Sequence, residues 1–285
     1  MTSANNRAVS SRRVRNARRE TNSAAPAKNP RDGGDSDGAA RKLRRPKSEK
    51  AATAAKPAGE KLQKILASRG VASRRAAEQL IAQGRVTVNR KPAALGARAA
   101  TRDNIAVDGK SLPRAAASRM LYYHKPAGKI VERGAPDSVF ADLPPPGGGR
   151  WINVGRLDVG SEGLLLFCTD GEIANKIAHP GYGAPREYLA RADGALSSAQ
   201  IAEIRGGIVM DGGRLQPSEF AAHREGGGRN RWYRVVLTEG RNRAVRRLFA
   251  HFGLQTLRLI RLRMGRHILP RDLPPGRWRE ISPGD

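Results

Sequence analysis

GRLDVGSEGLLLF, residues 155–167, is the stretch on which the fold turns. Leu164, Leu165, Leu166 and Phe167 form an apolar run with the length of a buried strand, and Ile152 and Val154 just before it alternate as a shorter strand does. Asp158 therefore falls in a connection that follows a strand, ahead of Gly160 and Gly163, which let the chain turn sharply and present a carboxylate. An aspartate beside a turn is ordinarily a turn or capping residue. No His or Cys stands near it to complete a nucleophilic triad. No second carboxylate at motif spacing suggests a metal, and none of the five His pairs at metal-ligand spacing. The glycines lack the Gly-Lys-Ser/Thr ending of a phosphate loop. Neither a metal nor a cofactor is expected.

Toward the C-terminus, Thr169 with Glu172 reads as a capping box for a helix holding Ile173, Ala174 and Ile177, and Ser197 with Gln200 repeats the device. Trp232 to Thr238 alternates as a half-buried strand. In EGRNRAVRRLFAHFG, residues 239–253, Val245, Leu248, Phe249 and Phe252 make one apolar helix face, with Asn242 as the expected cap and Gly253 closing it. Beyond it Leu257 and Leu259 lie in one phase and Leu262 and Met264 in the other, so a bulge near Ile260 or burial on both faces is required. Glu239 to Arg266 holds eight arginines and one acid, an imbalance that favours phosphate or a partner carboxylate over solvation. Upstream, Met120–Tyr123 reads as a strand, and Pro144–Gly149 as a flexible loop. Strands and helices do not keep a strict βαβ rhythm, so an α+β fold is expected.

Residues 60–112 carry 11 basic and 4 acidic residues in an ordered pattern. Leu62, Ile65 and Leu66 mark one helix stopped by Gly70, and Ser73 caps a second one with Ala76, Ala77, Leu80 and Ile81. Val86–Val88 and Ile105–Val107 read as strands, with a turn at Asn89-Arg90. Residues 1–59 carry 15 Lys/Arg against 5 Asp/Glu and no aromatic residue, so a disordered basic tail is expected. Its first 19 residues lack acids, as transit peptides do, but their apolar residues are too sparse for an amphipathic helix. The whole chain of 285 residues has a formal net charge of +27, which points to nucleic acid, an acidic membrane surface or an acidic protein. No apolar run is long enough to span a membrane, and the single Cys168 excludes an internal disulfide.

KLQKILASRGVASRRAAEQLIAQGRVTVNRK, continuing to NIAVDGKSL, resembles the small RNA-binding domain of the ribosomal protein S-four type, with Arg90-Lys91 where that family usually has a glycine. The resemblance implies phosphate contacts by Arg74, Arg75 and Arg85. HKPAG at 124–128, VGRLDVGSEGLLLF at 154–167, REYLARADG at 186–194, EGRNRAVRRLF and LRLIRLRMG together resemble the RsuA-type pseudouridine synthases over residues 60–285. That family implies a small two-helix and sheet domain at 60–112, then a catalytic domain with a mixed or antiparallel sheet at 113–285. It also implies isomerisation of uridine without a cofactor, by a carboxylate that falls on Asp158. Tyr188 would pack on the target base and Arg246 would stand by the carboxylate. Arg156 and Arg243 would contact substrate, and an aliphatic wall would come from Leu257 or Leu259. Ser161, Arg186, the Cys168-Thr169 pair and Ala244 depart from the family's usual residues. The expected partner is ribosomal RNA, the large-subunit (23S) RNA ahead of small-subunit or transfer RNA, for a cytoplasmic monomer that binds no membrane. The competing reading is an RNA-binding or ribosome-assembly factor without catalysis. A DNA-binding regulator lacks a two-fold helix-turn-helix arrangement.

Overall fold

A computed structural model describes residues 59–210, 212–223 and 229–284. The basic tail expected at 1–59 lies, but for its last residue, outside them. Residues 62–112 build a small domain. Helix α1 (Leu62–Ser68) and helix α2 (Arg74–Ala82) pack against a four-stranded sheet of β1 (Val86–Val88), β2 (Lys91–Pro92), β3 (Ile105–Val107) and β4 (Lys110–Ser111). The Ser73 hydroxyl accepts from the Ala76 amide, as a cap should. Leu62, Leu66, Ala77, Ile81, Val86, Ala99 and Ile105 form its core. Asn89 and Arg90 both take positive φ, the backbone of a tight hairpin turn, so the turn forms without the glycine the pattern favours.

The large domain is a mixed sheet of nine strands. Its main strands are β5 (Met120–Lys125), β6 (Ile152–Val154), β7 (Glu162–Cys168), β8 (Arg186–Ala192), β9 (Glu219–His223), β10 (Arg231–Leu237), β11 (Thr256–Met264) and β12 (Trp278–Ile281). The sheet runs β9-β10-β8-β11-β7-β5-β12, with β6 added beside β7. Helices α3 (Gly171–Ala178), α4 (Ser198–Gly206) and α5 (Ala244–His251) cover it. The architecture is α+β, as the element pattern predicts. Strand β7 is buried on both faces. Leu164, Leu166 and Cys168 join one cluster with Ala174 of α3, while Leu165 and Phe167 join another with Leu121, Tyr123 and Leu157.

One edge of β7 is divided. Its C-terminal half pairs antiparallel with β6 through Val154↔Leu166, and its first residues pair parallel with β11 through Arg261↔Gly163. The loop 155–161 fills the fork where β6 leaves and β11 joins. Gly163 is required there. Its φ is +104°, and a Cβ on it would lie 2.3 Å from the Arg261 carbonyl oxygen.

Several local expectations are corrected. Asp170, not Thr169, caps α3, accepting from the Glu172 and Ile173 amides, because the Thr169 hydroxyl is occupied by the Arg119 amide. Asn242 does not cap α5. The cap position is Arg243, left-handed at φ 52° and without a side-chain cap bond. Strand β11 bulges at two residues, Leu257 and Leu262, rather than at Ile260. The alternation in β10 ends at Val235, since Val235, Val236 and Leu237 are all buried. The Pro144–Gly149 loop is packed: a Cβ on Gly70 would meet Gly149 Cα at 2.5 Å, and one on Gly148 would meet Ala116 Cβ at 2.5 Å. The capping box of α4, Ser197 with Gln200, forms in full.

Candidate active site

Asp158 opens a turn in the loop 155–161, closed by the Ser161 amide donating to the Asp158 carbonyl at 3.0 Å. Leu157 beside it is buried in the cluster of Tyr123 and Leu165, which anchors the loop while the Asp158 carboxylate stays 38% exposed. The backbone after Asp158 is pinned from two sides. The Gly128 amide donates to the Val159 carbonyl at 2.9 Å. Lys125, fully buried at the end of β5, donates from Nζ to the carbonyls of Pro126 (2.9 Å), Val159 (3.1 Å) and Ser161 (2.8 Å). Three acceptors match the three N–H bonds of an ammonium. Burial pulls the Lys125 pKa down to about 8, against the pull of Glu162 and Asp158.

Two arginines of the α5 segment reach this loop by different routes. Arg243 is the direct ion-pair partner of Asp158, at 3.6 Å, and its side chain is exposed. Arg246 is held by its backbone acceptors instead: Nη1 donates to the Thr256 carbonyl at 3.0 Å and Nη2 to the Gly160 carbonyl at 2.8 Å, with Ser161 Oγ at 3.4 Å. It makes no direct ion pair with Asp158. Its field still reaches the carboxylate, for burial and Arg243 lower its pKa while Asp158 raises it. Arg156 is exposed near the start of the loop.

Tyr188 lies in the middle of β8, paired with Val235 and Arg261 and packed against the same cluster as Leu157. Arg261, its partner on β11, has a side chain that is buried with no carboxylate partner among the described residues, and its Nη2 has no hydrogen-bond partner among them. Arg261 donates from Nε to the Leu164 carbonyl at 2.8 Å and from Nη1 to the Arg156 carbonyl at 3.4 Å. It therefore serves the carbonyl exposed where β7 changes partners, and ties β11 to the Asp158 loop. Burial lowers its pKa. The two candidate wall leucines separate. Leu257 is 46% exposed on its bulge, beside the Thr256 carbonyl that Arg246 grips, whereas Leu259 lies in the core cluster that Tyr188 packs against.

The eight arginines between Glu239 and Arg266 are less free than their number suggests. Arg241 pairs with Glu239, Arg258 forks onto Glu162, and Arg263 joins Arg234 on Glu187. In the small domain Arg74 and Arg75 are exposed, whereas Arg85 is engaged by Asp108 through two hydrogen bonds of 2.8 and 2.6 Å. Sequence reasoning assigned no part to Lys125 and placed Arg261 on the phosphate side. The HKPAG stretch contained the signal for the first. Nothing in the sequence marks Arg261 as buried.

Comparison with known proteins adds independent findings. A family model described as RNA pseudouridylate synthase matches residues 119–251, and one described as S4 domain matches residues 60–101. The chain is 45% identical over 233 residues to the Ribosomal large subunit pseudouridine synthase B of Pseudomonas aeruginosa, covering 79% of this chain and 60% of that protein. A protein of the same name from Escherichia coli K12 is 45% identical over 234 residues, covering 78% of this chain and 79% of that one. A solved structure described as a pseudouridylate synthase shares the fold, with a TM-score of 0.56 over 79% of this chain and 96% of that chain, at 23% identity.

Proposed function

The chain belongs to the RNA pseudouridylate synthase family, in its RsuA-type branch, and from that premise we propose that it converts a uridine of large-subunit (23S) ribosomal RNA to pseudouridine, with Asp158 as the catalytic carboxylate. The single observation that carries the assignment is the exposed Asp158 side chain on a loop whose backbone is fixed by Lys125 and Arg246. A group that must meet one ribose in one geometry needs such a fixed support.

The reaction breaks the bond from ring nitrogen 1 to the ribose, turns the uracil, and forms a bond from ring carbon 5. The carbon 5 proton is lost and nitrogen 1 gains one, so no electrons are exchanged with an outside donor. A carboxylate serves by attacking the anomeric carbon or by adding to the ring. Arg243 and Arg246 supply counter-charge for it when RNA displaces water from the site. Tyr188 offers a ring, set by its place in β8 and its packing on the Leu157 cluster, against which an extruded uracil regains stacking. Leu257, the accessible leucine, fits the aliphatic wall, and Leu259 supports Tyr188 from the core. Arg156 is positioned for the flanking backbone. Arg74 and Arg75 fit phosphates of a folded stem, and Arg85 would have to exchange Asp108 for one. A cytoplasmic monomer that reads RNA shape is the matching working form.

The test is pseudouridine mapping on a large-subunit RNA transcript treated with the full chain. Asp158→Asn and Asp158→Ala should abolish conversion while RNA affinity stays within a few-fold of wild type. Conversion at the wild-type rate by either variant would remove Asp158 from the role, and binding without any conversion by the wild type would favour an assembly factor.

A further inference from the structure

Three arginines outside the candidate active site, Arg74, Arg133 and Arg150, lie on neighbouring segments with little to neutralise them among the described residues. Arg150 follows the packed Pro-Gly loop, and no hydrogen bond from its side chain to any described residue is found; its Nε is shut off from water with no partner. Arg133 donates to the carbonyl of Trp151, the residue next to Arg150, and its guanidinium lies 4.1 Å from the centre of the Phe140 ring. Arg74 begins α2 of the small domain, which reaches this place because Gly70, in the turn before α2, packs on Gly149. Among the described residues neither Arg133 nor Arg150 forms a salt bridge. Arg74 has only Glu172 at 4.0 Å, a carboxylate that Lys64 holds more closely at 2.6 Å. Burial lowers the pKa of both Arg150 and Arg133, and each feels a neighbouring guanidinium as well: Arg74 acts on Arg150, and Arg150 on Arg133.

We propose that Arg74, Arg133 and Arg150 form a phosphate seat at the junction of the two domains, which takes a backbone phosphodiester of the substrate RNA. An ordinary surface arginine keeps its fork in water. Arg150 instead gives up part of its hydration next to other cations, a costly placement that an incoming dianion or phosphodiester reverses. The planar five-donor fork matches phosphate oxygens. Because the three residues come from both domains, RNA held there clamps the small domain to the large one while the target uridine occupies the Asp158 site. The choice of RNA as the source of the phosphate rests on the function proposed above; the seat itself rests on the arginines.

Binding, not conversion, is therefore the primary readout. Full-length wild type, Arg150→Gln and Arg133→Gln are titrated with a large-subunit RNA transcript across a salt series, with thermal melting of each protein. Arg271→Gln, an exposed arginine on the loop before β12, serves as the control for loss of one charge. The seat predicts roughly fivefold to tenfold weaker binding for Arg150→Gln near physiological salt, a slope of log affinity against log salt shallower by about 0.7–0.9, and an unchanged conversion rate at saturating RNA. Melting of Arg150→Gln should be no lower than wild type, since a repulsive neighbour is gone. Arg133→Gln should weaken binding in the same direction, so a folding defect in one variant does not decide the matter. Equal losses in Arg150→Gln and Arg271→Gln would overturn the seat, as would a lowered melting temperature with unaltered binding. Inorganic phosphate is the second probe: saturation below the millimolar range that disappears in Arg150→Gln, with RNA binding intact, would assign the seat to a free anion and overturn the RNA contact. If wild type converts no uridine yet Arg150→Gln still loses binding, the proposed reaction fails and the seat stands.

Discussion

Lys125 does for the Asp158 loop what a metal or disulfide does elsewhere: it fixes backbone atoms that no strand pairs. The three carbonyls it serves need three N–H bonds, and a neutral amine has two. With its pKa pulled down to about 8, Lys125 loses its proton within an accessible range, and one of the three carbonyls then loses the N–H that Lys125 gave it. The conversion rate at saturating RNA should fall as pH rises through about 8. Stability moves the other way. The folded pKa lies below the unfolded value of about 10.4, so between the two the unfolded chain binds more protons and this group's contribution to stability rises with pH. Single-turnover rates and melting temperatures between pH 7 and 9.5 check both signs, and a flat rate profile would remove the link between Lys125 protonation and the loop. The two arginines divide similarly. Arg246 is fixed by the carbonyls of Gly160 and Thr256, whereas Arg243 is exposed and free to leave Asp158 for a phosphate. Arg246→Gln should cost about 10²-fold or more in single-turnover rate with little change in affinity, and Arg243→Gln about tenfold with a larger share in binding. The reverse order would assign the preorganised charge to Arg243.

At the scale of elements, the fork in the sheet decides where the Asp158 loop sits. Strand β7 changes neighbour from β6 to β11 beside the loop, and this needs both a backbone approach that only glycine allows and a side chain to satisfy the carbonyl in between. Gly163→Ala puts a methyl group against the Arg261 carbonyl at a φ of +104°, so it should cost about 3 kcal/mol or more of unfolding free energy, read from urea titration. A loss under about 0.5 kcal/mol would mean the two strands part easily there. Much of this level was legible. The run Leu164–Phe167 marked a strand buried on both faces, the Ser197/Gln200 box marked the start of α4, and the apolar face from Val245 marked α5. What escaped was long-range. Thr169 and Asp170 both offer a cap oxygen, and only the claim of the Arg119 amide on Thr169 decides between them. The phase change in β11 demanded an irregularity, but its division between Leu257 and Leu262 depends on the register against β8. Arg261 reads as a surface residue because its burial depends on a gap in a distant strand pair. Asp158, by contrast, is singled out through the resemblance its neighbours carry, since an aspartate at a turn has no distinctive local physics.

For the whole molecule, a net charge of +27 looks like one property but acts at three ranges. In the large domain much of it is internal, since Arg234 and Arg263 share Glu187, Arg258 holds Glu162 and Arg261 fills the fork. These arginines are engaged within the large domain. At the junction, Arg133 and Arg150 have no acidic partner among the described residues, and the proposed seat would act over contact distance. Residues 1–59 contribute 15 basic and 5 acidic residues with no acid among the first 19, and nothing in their composition provides base readout. On composition their expected effect on RNA is that of a charge reservoir, strong where the Debye length exceeds about 10 Å and weak where it falls to about 3 Å. Removing residues 1–58 should therefore weaken RNA binding most below about 0.1 M salt, flatten the salt dependence, and leave the two affinities converging toward 1 M. The single-turnover conversion rate at saturating RNA should not change, because Asp158 and the groups that hold its loop all lie in the large domain. Filter binding across that salt range with full-length and shortened protein distinguishes this from a specific role. An affinity loss that persists at high salt, or a slower conversion at saturation, would mean that the segment recognises structure in the RNA instead of only concentrating it.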